Sequence, residues 1–210
     1  MINILQDGEF SIKKSTLKGA GMGLFSKTIR AGTIIPYNTI IKKYNEIPEE
    51  EDDTYYMGVS YIDDNGVTKS IRGYIADGNP SQKCFKWKRS STVAGAYVNE
   101  ASSFPPNCVF VCNPFHTKES LKILTKKNKP EIFASCFLIV PWDIEEGKEL
   151  FTMYGPCYST RNYKQWRDRK GYKKDLIDSS HNILEKNKEL LRKMCRNNWD
   201  NFYIVIYLFK

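Results

Sequence analysis

The chain reads as mainly β, with a helix only towards its C-terminal end. Three observations carry this reading. Through the first 75 residues, apolar and β-branched residues come in short runs separated by Gly, Pro and Asn. No helical apolar period dominates before residue 160. Between two alternating runs stands Asp63-Asp64-Asn65-Gly66, and Asn-Gly in that setting is a strong hairpin signal.

Taken in order, Phe10-Ser11-Ile12 alternates before Lys13-Lys14 and predicts the first strand. Leu24-Phe25-Ser26, Thr33-Ile34-Ile35 and Ile40-Ile41 predict brief strands after it. Residues 59–62 and 67–71 are the hairpin arms, and Tyr74-Ile75 leads to a turn at Asp77-Gly78. The acidic run Glu49-Glu50-Glu51-Asp52-Asp53 reads as a solvated helix start, because acids are favoured at the positive end of a helix dipole. Its sharper reading is a rim that attracts a basic peptide. Val109-Phe110-Val111 and Leu121-Lys122-Ile123-Leu124 predict short strands, and residues 131–140 a longer, buried one. Beyond Gly155-Pro156 the chain turns basic and aromatic. Ser180 reads as the N-cap of a helix with Ile183, Leu184, Leu190, Leu191, Met194 and Cys195 on one face. Residues 202–209 form an apolar, strand-like run. Left bare, such an edge invites aggregation, so it must pack on the body or pair with a second copy in a homodimer.

The 210 residues fit one ordinary domain plus an appendage, and 13 Tyr, 11 Phe and 4 Trp supply a core. No stretch reaches the ~20 apolar residues of a membrane span, and residues 1–7 lack the pattern of a signal peptide. The six Cys, at 84, 108, 112, 136, 157 and 195, contain no C-x-x-C pair. Cys108 and Cys112 have no partner pair to complete a zinc site, so free thiols in a reducing, intracellular compartment are expected and no metal. The net charge is +8, with 24 Lys against 8 Arg. Proteins that read bases lean on Arg for bidentate contacts, so direct nucleic-acid binding is not expected. The clusters Lys86-Trp87-Lys88-Arg89 and Arg167-Asp168-Arg169-Lys170 suit single strands in principle, but read more simply as solvated surface. Richness in Lys, Asn and Ile fits an AT-rich genome, such as that of a large DNA virus or an intracellular pathogen.

Three motifs stand out. The first is Lys18-Gly19-Ala20-Gly21-Met22-Gly23-Leu24-Phe25, whose glycines allow positive φ and close approach to a ligand. It is neither a dinucleotide fingerprint nor a P-loop, because no βαβ unit and no Gly-Lys-Ser/Thr follow. The second is Asn99-Glu100-Ala101-Ser102-Ser103-Phe104-Pro105-Pro106-Asn107-Cys108, with two Asn eight residues apart around a Pro-Pro turn. The third is Lys148-Glu149-Leu150-Phe151-Thr152-Met153-Tyr154-Gly155, which sets a phenol beside a tight bend.

In this order the three motifs resemble the SET-domain family of protein lysine methyltransferases. Ile29-Arg30-Ala31-Gly32-Thr33-Ile34-Ile35 and Asp143-Ile144-Glu145-Glu146-Gly147-Lys148-Glu149-Leu150 resemble further family segments. The resemblance covers residues 8–158 and leaves 159–210 as an appendage holding the helix and the terminal apolar strand. It implies a fold of several small β-sheets with a pseudoknot that carries the Tyr154 segment past the Asn99 loop.

The resemblance also implies methyl transfer from S-adenosyl-L-methionine to a lysine ε-amine. Tyr154 matches the family's catalytic Tyr. The backbone of Ala20, Gly21, Met22 and Gly23 would meet the cofactor's methionine part, Asn99 would meet it from the other side, and the Glu100 backbone would meet the adenine. Tyr158 and Trp166 are candidates to cover the adenine, and Tyr97, Phe110 and Thr152 to line the lysine channel. Neither Phe110 nor Thr152 is the Tyr that restricts methylation in some members, so di- or trimethylation is expected. A basic-tailed protein, a histone foremost, is the implied substrate, which would place the chain in a nucleus (the host's, if viral). The sequence departs from the family at Glu100, where His is usual, at Lys148 and at Met153. It also lacks the zinc-binding Cys cluster after the catalytic Tyr, as compact viral members do. An inactive SET-like binding module is the alternative reading.

Overall fold

The computed structural model describes residues 2–50, 55–62, 65, 68–85, 89–101, 104–112, 133–154, 172–189 and 203–204. Among these the chain is mostly β-sheet. The strands are β1 (Asn3–Ile4), β2 (Phe10–Lys14), β3 (Met22–Ser26), β4 (Thr33–Lys43), β5 (Tyr56–Ile62), β6 (Thr68–Asp77), β7 (Asn99–Glu100), β8 (Val109–Cys112), β9 (Phe133–Ile139), β10 (Phe151–Thr152) and β11 (Tyr203–Ile204), with helix α1 (Tyr172–Lys186) before the last. They make a seven-stranded sheet of order β11-β8-β9-β4-β6-β5, with β1 pairing β4, and two small sheets, β2-β3 and β7-β10.

β4 organises the large sheet. The sequence predicts two short pieces here, broken at Pro36 and Asn38, but the structure has one strand of 11 residues. Its first half pairs with β9 and its second half with β6. A register shift between Tyr37 and Asn38 absorbs the irregularity that Pro36 introduces, which is why the strand bends without ending. β5 and β6 pair antiparallel, as the alternating runs predict; of residues 63–67 between them only Asn65 is described.

Side chains alternate across the central strands with the period of a pleated sheet. Ile35, Cys108, Phe110, Cys136, Leu138 and Val140 enter one core, with Leu5, Leu24, Ile29 and Leu150. Ile34, Val109, Val111, Phe137 and Ile139 enter a second, with Leu176 and Leu184 of α1. Within the apolar run, residues 136–140 are therefore buried on both faces, one of them beneath the helix.

Helix α1 begins earlier than a cap at Ser180 predicts. Ser180 lies mid-helix, fully buried, and its hydroxyl donates back to the Leu176 carbonyl at 2.7 Å. The inward face is Leu176, Ser180, Ile183 and Leu184. Residues 190–195, expected on this face, lie outside the described residues, as do the strand expected at 121–124 and the acids 51–53. Ahead of the acidic run lies a short 3-10 turn, Tyr44–Glu46, where Glu46 pairs with Lys43 at 2.8 Å. Within the terminal apolar run, Tyr203 and Ile204 pair with Cys112 and Val111 of β8. No described helix is long and apolar enough to cross a membrane.

Candidate active site

Asn99 and Glu100 enter β7 from a 3-10 helix, Ser91–Tyr97, which packs on the sheet with Val93 and Ala94 buried. β7 runs parallel to β10, with Asn99 opposite Phe151 and Glu100 opposite Thr152. Two motifs distant in the chain thus lie side by side. The Pro105-Pro106 turn brings the second Asn back to the same strand. Asn107 Nδ2 donates to the Glu149 carbonyl at 2.9 Å, and its Oδ1 accepts from the Phe151 N–H at 2.8 Å. Its backbone N–H donates to the Phe151 carbonyl at 2.9 Å, a carbonyl shared with the Cys108 N–H at 3.2 Å. On the other edge the Ala101 N–H donates to the Thr152 carbonyl at 2.7 Å. The segment before Tyr154 is therefore gripped from both sides of the Asn loop.

The first motif joins through Glu149, whose side chain is only 5% exposed. Its carboxylate accepts from the Ser15 hydroxyl (2.6 Å), the Thr16 N–H (2.7 Å), the Thr16 hydroxyl (2.6 Å) and Asn99 Nδ2 (3.0 Å). A buried carboxylate without such donors would be costly, and four of them make this one tenable. Asn99 Nδ2 also donates to the Met22 carbonyl at 3.0 Å. Gly23 is required by this arrangement, since a Cβ there would overlap Glu149 Oε1 and Cδ. Gly21 turns the loop before it with a φ of 72°, which few residues with a Cβ adopt. Sequence reasoning singled out Gly23 and Asn99 but not Glu149, Ser15 or Thr16. The signal lay in Gly23 itself, because a glycine inside a strand marks a close approach.

Tyr154 is half-buried. Its hydroxyl donates to the Val98 carbonyl at 2.5 Å, and its backbone N–H donates to the buried Glu100 carboxylate. Its ring centroid lies 6.0 Å from that of Phe110, which in turn meets Tyr37 edge-on at 5.4 Å. Thr152 and Tyr154, two residues apart, meet Cys108 and Phe110, also two apart. Thr152 is fully buried beside the Cys108 thiol, and its hydroxyl has no hydrogen-bond partner of good geometry among the described residues. Tyr97 is half-buried at the end of the 3-10 helix. Burial raises its phenol above the ordinary range, against a smaller opposing effect of Arg89. Ala20 packs on Leu17, Ala101 and Phe151, and Phe104 stacks on Phe151 at 5.2 Å. Tyr158 and Trp166 lie outside the described residues.

Cys84 and Cys108 are free thiols, and the described residues hold no group of three or more metal-ligating side chains. Burial pushes the Cys108 thiol far above its usual range, so it stays protonated at neutral pH and is not a nucleophile. Native protein treated with iodoacetamide should leave Cys108 unlabelled until denaturant is added, as read by peptide mass spectrometry. Fast native labelling would mean that the segment entering β8 opens readily.

In sequence, the chain matches no protein-family model and no curated protein. Among solved structures it is similar to the "crystal structure of KRYPTONITE in complex with mCHH DNA, H3(1-15) peptide and SAH", at 17% identity and a TM-score of 0.39. The likeness covers 73% of this chain and 25% of that one, so the chain spans about a quarter of that protein's length.

Proposed function

We propose that the chain is a SET-like protein lysine methyltransferase that uses S-adenosylmethionine. The observation that supports this most is the position of Asn99, which ties all three motifs together. Its side chain holds Met22 and Glu149, and its backbone pairs with the strand leading to Tyr154.

The residues present fit the cofactor. Both hydrogens of Asn99 Nδ2 are engaged, while its Oδ1 has no hydrogen bond to a described residue and suits an ammonium group. Residues 20–23, Asn99 and Glu100 would hold the cofactor, which when bound supplies a methyl group on a positively charged sulfur. The Glu100 carboxylate is turned inward onto the Tyr154 N–H. The residue that departs from the family's His thereby supports the backbone of the proposed catalytic Tyr.

The chain's remaining tasks are to align a lysine amine and strip it of water. The Tyr154 hydroxyl commits its proton to Val98, so towards an amine it serves as acceptor and orienting group. Phe110 and Tyr37 make its surroundings apolar. Such surroundings disfavour an ammonium and lower an amine pKa that starts at about 10.4. The neutral amine is the nucleophile, and its lost proton passes to water.

Two experiments test this reading. Calorimetry should detect binding of S-adenosylmethionine, and a peptide array with labelled cofactor should find methylated lysines in basic tails such as those of histones. No binding at near-millimolar cofactor would instead favour an inactive module. Product number follows from the channel. Phe110 and Thr152 carry no phenol to hold a water beside the amine, so mass spectrometry should show di- or trimethyl product. The Phe110→Tyr variant should shift it towards monomethyl. Monomethyl product alone from the wild type, after long incubation, would refute the assignment.

A further inference from the structure

We propose that Tyr172, the first residue of α1, is a positioning residue for the strand that leads to Tyr154. Its hydroxyl donates to the Pro106 carbonyl at 2.7 Å. That carbonyl belongs to the same peptide group as the Asn107 N–H, which donates to the Phe151 carbonyl at 2.9 Å. A peptide group is planar, so holding its oxygen aims its N–H. Hydrogen bonds in series also polarise and strengthen one another. One peptide unit is therefore held between the helix on one side and β10 on the other. The Asn107 side chain then adds two further bonds to the same strand.

The helix is itself well placed to act as an anchor. The Tyr172 ring meets Trp142 edge-on at 5.7 Å, and Trp142 packs against both cores. Leu176 and Leu184 are buried against the central sheet. The path from α1 to Tyr154 is thus Tyr172, the Pro106–Asn107 peptide, Phe151, and three residues of chain. A C-terminal segment outside the three motifs contributes to their geometry.

The coupling does not depend on the activity proposed above; its consequence for turnover does. Tyr172→Phe removes the hydroxyl and keeps the ring on Trp142. Amide hydrogen exchange at Asn107 and Phe151, read by NMR, should become about fivefold faster, as expected for one lost hydrogen bond in a locally opening segment. Ile183→Ala is the control, since it loosens helix packing but leaves the hydroxyl in place, and should leave those two amides unchanged. If methyl transfer is observed, Tyr172→Phe should lower kcat with KM for the cofactor unchanged. Unchanged exchange at Asn107 and Phe151 in Tyr172→Phe would overturn the proposal, as would an equal effect of Ile183→Ala. A wild type without turnover would refute the enzymatic reading alone, because the exchange result stands apart from it.

Discussion

Tyr154→Phe should reduce methyl transfer by about 10²–10³-fold, the loss typical when one preorganised hydrogen-bonding group is removed from a reacting centre. The reasoning is geometric. The hydroxyl is fixed by the Val98 carbonyl, and the ring lies against Phe110. Phe fills the same space without the oxygen, so a lysine amine would meet the same ring with nothing to orient it. The backbone N–H of residue 154 still reaches Glu100, and Asn99 still holds Met22 and Glu149. Cofactor affinity by calorimetry should therefore be unchanged. Stability should fall by only about 1 kcal/mol, the net value of one hydrogen bond. Wild-type turnover in the variant would remove Tyr154 from catalysis. Lost cofactor binding would show instead that its role is structural.

The largest effect on stability is expected at Glu149. Truncation to Ala leaves the Ser15 and Thr16 hydroxyls, the Thr16 N–H and one Asn99 amide hydrogen without their acceptor in a part-buried site. Unsatisfied groups of this kind should lower stability by about 3–4 kcal/mol. In a chain of this size that corresponds to roughly 10 °C in Tm. Gly23→Ala attacks the same point from the other strand, since its Cβ would occupy the space of the carboxylate. With the carboxylate gone that space opens, and the principal remaining neighbour is Asn99 Nδ2 at 3.2 Å. The double variant should therefore be more stable than the sum of the single losses predicts, by about 1–2 kcal/mol. Additive losses in thermal or urea unfolding would show that Gly23 and Glu149 are not in contact.

Much of the β structure was legible in the sequence because short β-branched runs, an Asn-Gly turn and strand alternation are local signals. The failures have equally specific causes. Pro36 looked like a strand end, but a register shift between Tyr37 and Asn38 lets β4 continue and change partner. Ser180 looked like a cap, but in a buried helix face its hydroxyl turns back to Leu176. Both outcomes were decided by what packs against the segment, which a local pattern does not record.

For the candidate site, the sequence by itself determined which residues are present and in what order: the glycine loop, Asn99, Asn107 and Tyr154. The tertiary structure decided how they meet. It set Asn99 against Phe151, sank Glu149 among four donors behind Gly23, turned Glu100 inward onto the Tyr154 N–H, and tied Pro106 to Tyr172. These are pairings between residues far apart in the chain. Their energies come from burial and from matched donors and acceptors, and neither exists until the strands are assembled.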